Sequence, residues 1–211
     1  MIIGLKGLKN SGKDTVAAYL IKQHGFERKA FADPLKRSVA ALLDIPYHEI
    51  DKWKNDPNVH VEVVQYASSE DAARKDGNFA FIQGPGTFRQ FLQRMGDEAS
   101  KQVWWDSFWD DLTLPIDGFY HGKKIVITDC RFESNARRVN TCGGYVVQLR
   151  RPGFEAQDPH RGEELFPDKM VDYTLMNDGT LDDLYDKINE MLIHLDRLEP
   201  RHIGGGMWER V

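Results

Sequence analysis

The sequence predicts an α/β fold, a three-layer sandwich with a mostly parallel central sheet. Three observations predict it. Met1–Lys6, Ile125–Thr128 and Tyr145–Leu149 are short, β-branched and nearly continuous apolar runs, the signature of strands covered on both faces. Helically spaced segments stand between the predicted strands, so each crossover can return the chain in parallel. A glycine-containing turn, Gly7 to Gly12, joins the first strand directly to the first helix.

Taken in order, the strand at Met1–Lys6 feeds a helix from about Lys13 that carries Val16, Leu20 and Ile21 on one face and stops at Gly25. A second helix begins at FADPLKRSVAALL, where Asp33 can cap free amides and Pro34 suits the first helical position. It ends near Asp44 to Pro46. From Tyr47 to Gly86 the periodicity fades, and the segment reads as an insertion. Thr87 caps a helix bearing Phe88, Phe91, Leu92 and Met95, and a Trp-rich apolar stretch follows to Leu112. Trp104, Trp105 and Trp109 on such helices belong to the core in preference to stacking on a base.

The strand at Ile125–Thr128 is central and parallel, and a helix over Asn135–Cys142 ends at Gly143-Gly144. Strands follow at Tyr145–Leu149 and Val171–Met176. The closing helix shows Leu181, Leu184, Tyr185, Ile188, Leu192 and Leu195 at helical spacing. The whole is one domain, residues 1–211, with an insertion over about 33–112, a small lid over about 150–166 and a flexible tail at 200–211.

Composition removes several function classes. With 211 residues, 41% hydrophobic, the chain can bury one substantial core. A net charge of −5 argues against general nucleic-acid binding, which draws on concentrated Lys and Arg. Cys130 and Cys142 are two ordinary thiols without metal-ligand spacing. No apolar run approaches the roughly 18 residues of a membrane span, and the opening MIIGLKGLKNSGKD is not ordered as a signal peptide. A cytoplasmic protein is expected, with neither membrane nor nucleic acid as partner.

Gly7-Leu8-Lys9-Asn10-Ser11-Gly12-Lys13 fits GxxxxGK between a predicted strand and a predicted helix, the context in which that pattern cradles phosphate. The glycines let backbone amides turn inward, the helix N-terminus adds a favourable dipole, and Lys13 can neutralise β- and γ-phosphate oxygens. Gly7, Asn10, Ser11, Gly12, Lys13, Asp14 and Thr15 are therefore the expected ATP-binding residues. Asp14 occupies the position where most such loops carry a hydroxyl ligand for Mg2+, and here the hydroxyl comes one residue later, at Thr15. The metal is then held through waters near Asp14. Asp129 ends a predicted strand at the edge where α/β sheets bind ligands, so it can orient Mg2+ or its waters. Arg131 can reach a phosphate with its planar guanidinium, or form a local salt bridge with Asp129.

Several segments together give a resemblance. GLKNSGKDTVAAYL (7–20), FADPLKRSVA (31–40), TFRQFLQRMGDE (87–98), ITDCRFESNA (127–136), LRRPG (149–153), DPHRGEE (158–164) and NDGTLDDL (177–184) stand in an order that resembles the bacteriophage deoxynucleoside monophosphate kinases. That family is a branch of the P-loop kinases related to adenylate and guanylate kinases, and the likeness runs nearly end to end. It implies a P-loop kinase three-layer sandwich with a helical acceptor-binding insertion and a small lid, and transfer of the ATP γ-phosphate to a deoxynucleoside monophosphate to give the diphosphate. It implies Lys13 and Thr15 on the donor, with Asp129 assisting the metal. On the acceptor side it implies Asp33, Lys36, Arg89, Gln93 and Arg131. Arg150, Arg151 and Arg161 fall where related kinases have their lid, which makes Lys13, Arg131, Arg151 and Arg161 the expected catalytic set.

Two departures stand out: Glu133-Ser134-Asn135 replaces the family's Pro-Asn-Glu, and Gly162 replaces a small hydroxyl residue. No carboxylate role is carried to 133–135 for that reason. His160 is either part of this site or a solvated loop residue. The resemblance also implies a homodimer, and the host cytoplasm if the protein is phage-encoded. Two other readings stay open at this level: a P-loop kinase for another phosphorylated acceptor, of the phosphomevalonate or dephospho-coenzyme A type, or a nucleotide-binding switch without kinase activity.

Overall fold

The computed structural model describes residues 1–61, 86–96, 104–115, 120, 122–153 and 164–198. The chain divides into two compact units, Met1–Asp33 with Trp109–Val211, and Pro34–Phe108.

The first unit is built on a five-stranded sheet. Its strands are β1 (Ile2–Gly7), β2 (Glu27–Lys29), β5 (Ile125–Ile127), β6 (Tyr145–Arg150) and β7 (Tyr173–Met176), in the order β2-β5-β1-β6-β7. Every pairing is parallel, with Ile3 opposite both Val126 and Tyr145. All six residues of β1 are buried, as expected of a central strand covered on both faces. Alternate side chains feed two cores. Ile3 and Leu5 pack with Val16 and Leu20 of α1 (Lys13–His24) and with Ile188 and Met191 of α7 (Leu181–Arg197). On the other face Ile2, Ile125 and Ile127 pack with Ala136 and Val139 of α6 (Glu133–Thr141). Helix, sheet and helix form the three expected layers.

The second unit gathers Val39 and Ala40 of α2 (Asp33–Leu42), Ile50 of α3 (Ile50–Asn55), Val61 of β3 (His60–Val61) and Phe88, Phe91 and Leu92 of α4 (Phe88–Arg94) into one core. Burying a ring such as Phe88, which is wholly enclosed, contributes about 2–3 kcal/mol. β3 pairs antiparallel with β4 (Gly86–Thr87), and Thr87 then starts α4 through a capping box with Gln90. Such a cap contributes about 1 kcal/mol.

Several expectations need correction. Ile21 is exposed, and Ala17 takes its place on the buried face of α1. Leu181 is likewise exposed, while Met191 is fully buried in α7. β2 was not expected, because Glu27-Arg28-Lys29 is a polar edge strand with no apolar alternation. A 3₁₀ turn (Tyr47–Glu49) and α3 stand where the sequence shows only a fading pattern. Trp104 and Trp105 are about half exposed and not core; Trp104 stacks on Phe108 with ring centroids 4.3 Å apart. Phe108 opens the short helix α5 (Phe108–Thr113). The tail at 200–211 lies outside the described residues. Among the described residues no helix is long and apolar enough to cross a membrane.

Candidate active site

The loop between β1 and α1 is fixed by its own geometry. Gly12 has φ of 104°, a left-handed conformation, and a Cβ there would come within 2.6 Å of Asn177 Nδ2. A Cβ on Gly7 would meet Ser11 Oγ at 2.5 Å. Both motif glycines are thus needed for close approach. The Asn177 amide donates to Ser11 O at 2.9 Å, which ties the loop to the end of β7. Ser11 Oγ is buried and has no hydrogen-bond partner among the described residues. It is an unsatisfied hydroxyl in a loop whose backbone opens a helix, an arrangement suited to an anionic oxygen.

Lys13 Nζ lies back over the loop and donates to Gly7 O and Leu8 O, both at 2.7 Å. The sequence led to a lysine reaching outward to phosphate; in this structure the ammonium meets two carbonyls of its own loop. Asp14 is exposed and Thr15 half-buried in the first turn of α1. A cavity of about 290 Å³ opens beside the loop, between Leu8 and Ser11 on one side and Arg151, Gly153, Leu165 and Met176 on the other. Arg151 Nη1 donates to Asn10 O at 3.3 Å, so the segment after β6 touches the loop. Arg150 also lines the cavity, and its guanidinium pairs with the exposed Asp168 at 3.5 Å. Arg161 and His160 lie outside the described residues, as does most of the expected lid.

At the carboxyl end of β5, Asp129 accepts hydrogen bonds from Phe31 N at 2.7 Å and Ala32 N at 3.0 Å. Burial pushes its carboxyl above the ordinary range, against the pull of those two amides and of Arg131. Each carboxylate oxygen already has a partner, so Asp129 shapes the turn before α2 whatever else it does. Asp33, next in that turn, is buried and accepts from Ala30 N at 3.1 Å and from Arg28 Nη1 at 2.8 Å. Arg131 is exposed, and its backbone is held on both sides. Asn135 Oδ1 accepts from Arg131 N at 2.9 Å, and Lys6 Nζ donates to Arg131 O at 2.6 Å.

In the second unit, Lys36 pairs with Asp51 at 2.7 Å and Arg89 donates to Asn55 Oδ1 at 3.0 Å. Gln93 is exposed on α4. Among the described residues no group of three or more His, Cys, Asp or Glu side chains is built to hold a metal. The oxygen donors near the loop, Asp14 and the Thr15 hydroxyl, match the hard-ligand preference of Mg2+, which keeps several waters and leans on substrate phosphates. They fit a metal that arrives with a nucleotide. Cys130, just past β5, is buried in the core beneath α6, which pushes its thiol well above the usual range and leaves it unreactive.

Sequence reasoning missed Asn177, Lys6, Asn135 and the apolar side of the cavity. Asn177 had a signal in the segment NDGTLDDL, but no role attached to it.

The family model for deoxynucleotide monophosphate kinase matches residues 54–188. A relative from Acanthamoeba polyphaga mimivirus, provisionally named a deoxynucleotide monophosphate kinase, is 30% identical over 200 residues, covering 89% of this chain and 94% of its own. The deoxynucleotide monophosphate kinase of Enterobacteria phage T4 is 24% identical over 237 residues, covering 90% of this chain and 98% of its own. Among solved structures, shikimate kinase from Acinetobacter baumannii matches over 94% of this chain and 95% of its own, with a TM-score of 0.43 and 16% identity.

Proposed function

The chain belongs to the deoxynucleotide monophosphate kinase family and is an ATP-dependent phosphotransferase acting on deoxynucleoside monophosphates, and from that premise we propose how its residues divide the work. An oxygen of the acceptor phosphate attacks the γ-phosphorus of ATP, the bond to the β-phosphate oxygen breaks, and ADP and a deoxynucleoside diphosphate leave. Such a transfer relies on positioning and charge neutralisation, and it needs little covalent chemistry from the protein.

The single observation that carries the donor side is the Gly7–Lys13 loop, with left-handed Gly12 and the unpartnered buried Ser11 hydroxyl, opening directly into α1. Phosphate oxygens replace Gly7 O and Leu8 O as partners of Lys13, whose charge offsets the negative charge that moves to the β–γ bridge. The donor base occupies the cavity between Leu8 and Met176, whose lining is largely apolar. Thr15 and Asp14 are the residues that would hold Mg2+ arriving with the nucleotide, in part through water and with Asp129 assisting, and the ion would supply neutralisation of phosphate charge. Arg131 and Arg151 stabilise the transferring group, joined by Arg161. Asp33, Lys36, Arg89, Gln93 and Arg131 bind the acceptor, an assignment supported by the family resemblance. The cytoplasm and a homodimer belong to the same reading.

The test is ADP release with ATP, Mg2+ and, in turn, each common deoxy- and ribonucleoside monophosphate, phosphomevalonate and dephospho-coenzyme A, for the wild type and Lys13→Ala. Turnover on one or more deoxynucleotides, lost in a Lys13→Ala variant that still melts cooperatively, is expected. Turnover on phosphomevalonate or dephospho-coenzyme A instead, or a fully active Lys13→Ala, overturns the assignment.

A further inference from the structure

Lys6 is the one lysine of β1, and it is 1% exposed. A desolvated ammonium is costly, and an apolar chain of the same length fills a sheet position at lower cost. Two of its contacts face the segment after β5 and the Phe166 ring. Nζ donates to Arg131 O at 2.6 Å and lies 4.5 Å from the centre of the Phe166 ring. Phe166 is in turn held by its own amide, which donates to the buried Gln148 Oε1 at 2.8 Å. Gln148 stands beside Lys6 in the β1–β6 register.

The other side of Arg131 has a matching device. Asn135, 4% exposed, accepts from both Arg131 N and Phe132 N at 2.9 Å, and its amide donates to the buried Asp110 at 2.8 Å. One exposed arginine thus has its N–H and its C=O each bonded to a buried polar side chain, drawn from two different elements. The guanidinium itself makes no hydrogen bond among the described residues. Ordinary helix capping accounts for Asn135 alone. It does not account for a buried cation on a neighbouring strand aimed at the same residue.

We propose that Lys6 and the Asp110–Asn135 pair are positioning residues that clamp the Arg131 backbone from both sides and so aim its guanidinium at the acceptor or transferring phosphate. The clamp rests on the reading of Arg131 given above. Its logic is that a guanidinium on a long stem contributes to a transition state only when its base is fixed, since small misplacements of a reacting partner cost large factors in rate.

The experiment is a double-mutant cycle in steady-state kinetics on the full chain, with Lys6→Met and Asn135→Ala each made alone and combined with Arg131→Ala. Alone, each should lower kcat/KM for the acceptor about 10- to 100-fold while leaving the KM for ATP within about twofold. In the Arg131→Ala background each should add less than about twofold, because there is no guanidinium left to aim. A purely structural residue lowers activity by the same factor in both backgrounds, and that outcome overturns the clamp while Arg131 keeps its role. Wild-type kinetics in Lys6→Met and Asn135→Ala also overturn it. Normal turnover in Arg131→Ala alone overturns the reading of Arg131, and the clamp with it. Should Lys6→Met not fold, the Asn135 arm of the cycle decides the matter by the same criterion.

Discussion

The Asn177 side chain and the Ser11 carbonyl, 166 residues apart in sequence, are joined by a 2.9 Å hydrogen bond that pins the loop from Gly7 to Lys13 to the end of β7. The same amide fills the space in which Gly12 would carry a Cβ. The backbone N–H of Asn177 donates to Arg150 O, so the residue itself is anchored. Asn177→Ala should loosen the loop without unfolding it. Loss of one such bond is worth about 1 kcal/mol, so the KM for ATP should rise about fivefold with the acceptor KM unchanged. Gly12→Ala should be worse, since it adds a strained left-handed φ to the contact with Asn177. Initial-rate kinetics at varied ATP measure both; an unaltered ATP KM in both variants refutes the pinning.

On the acceptor side, Arg89 is exposed on α4 and is oriented by Asn55 at 3.0 Å. If it holds the acceptor phosphate, Arg89→Ala removes a charge-assisted bond worth about 1.5–3 kcal/mol. The acceptor KM should then rise about 10- to 100-fold at unchanged ATP KM. Equal losses for both substrates would contradict the role.

Asp110 links stability to pH. Burial raises its carboxyl from 3.8 to about 6, and like charges on Asp111 and Asp129 add to the rise, while bonds from Ser134 and Asn135 oppose it. The folded state therefore binds this proton more tightly than the unfolded chain. The stability it contributes is fully present below pH 3.8, declines as pH rises, and is gone above about pH 6. The shift of about two units corresponds to about 3 kcal/mol. Asp110→Asn keeps an acceptor for the Asn135 amide and has no proton to lose. Urea unfolding at pH 4 to 7.5 should show the wild type losing stability relative to Asp110→Asn as pH rises; a gain across that range would be the wrong sign.

The parts of this fold that were legible in the sequence are those whose causes are local. β1, β5 and β6 are buried on both faces and read as continuous apolar runs. Thr87 announces its helix through a capping box with Gln90, three residues on. β2 was illegible because its three residues are charged and its pairing with β5 is supplied from a distance of about 98 positions, Glu27 with Ile125. α3 has only Ile50 buried, so six residues carry no helical stripe. The loop from Gly7 to Lys13 was legible as a strand-to-helix turn because its pattern sits in seven consecutive residues. Asn177 and Lys6 act on partners 166 and 125 residues away, and no spacing rule connects them.

Arg150 and Arg151 are adjacent and equally basic, yet the structure separates them. Arg150 turns to Asp168, an exposed pair of the kind that contributes between zero and about 1 kcal/mol. Arg151 turns to the phosphate loop, donating to Asn10 O, and lines the cavity beside it. A guanidinium in that position can close on a phosphoryl group and exclude the water that would otherwise accept it. Arg151→Ala should therefore lower kcat by about 10²- to 10³-fold, as removal of one preorganised donor to a transition state does, with smaller changes in either KM. It should also leak: ADP released without phosphorylated acceptor should become a larger share of turnover. Arg150 lines the same cavity, but its guanidinium is paired with the solvated Asp168 carboxylate and not with the loop, so Arg150→Ala should stay nearer the wild type in kcat and in coupling. Parallel assays of ADP and of phosphorylated acceptor separate the two variants. Equal behaviour of both, whether both active or both impaired, would remove the distinction drawn here and with it the assignment of Arg151 to the transferring phosphate.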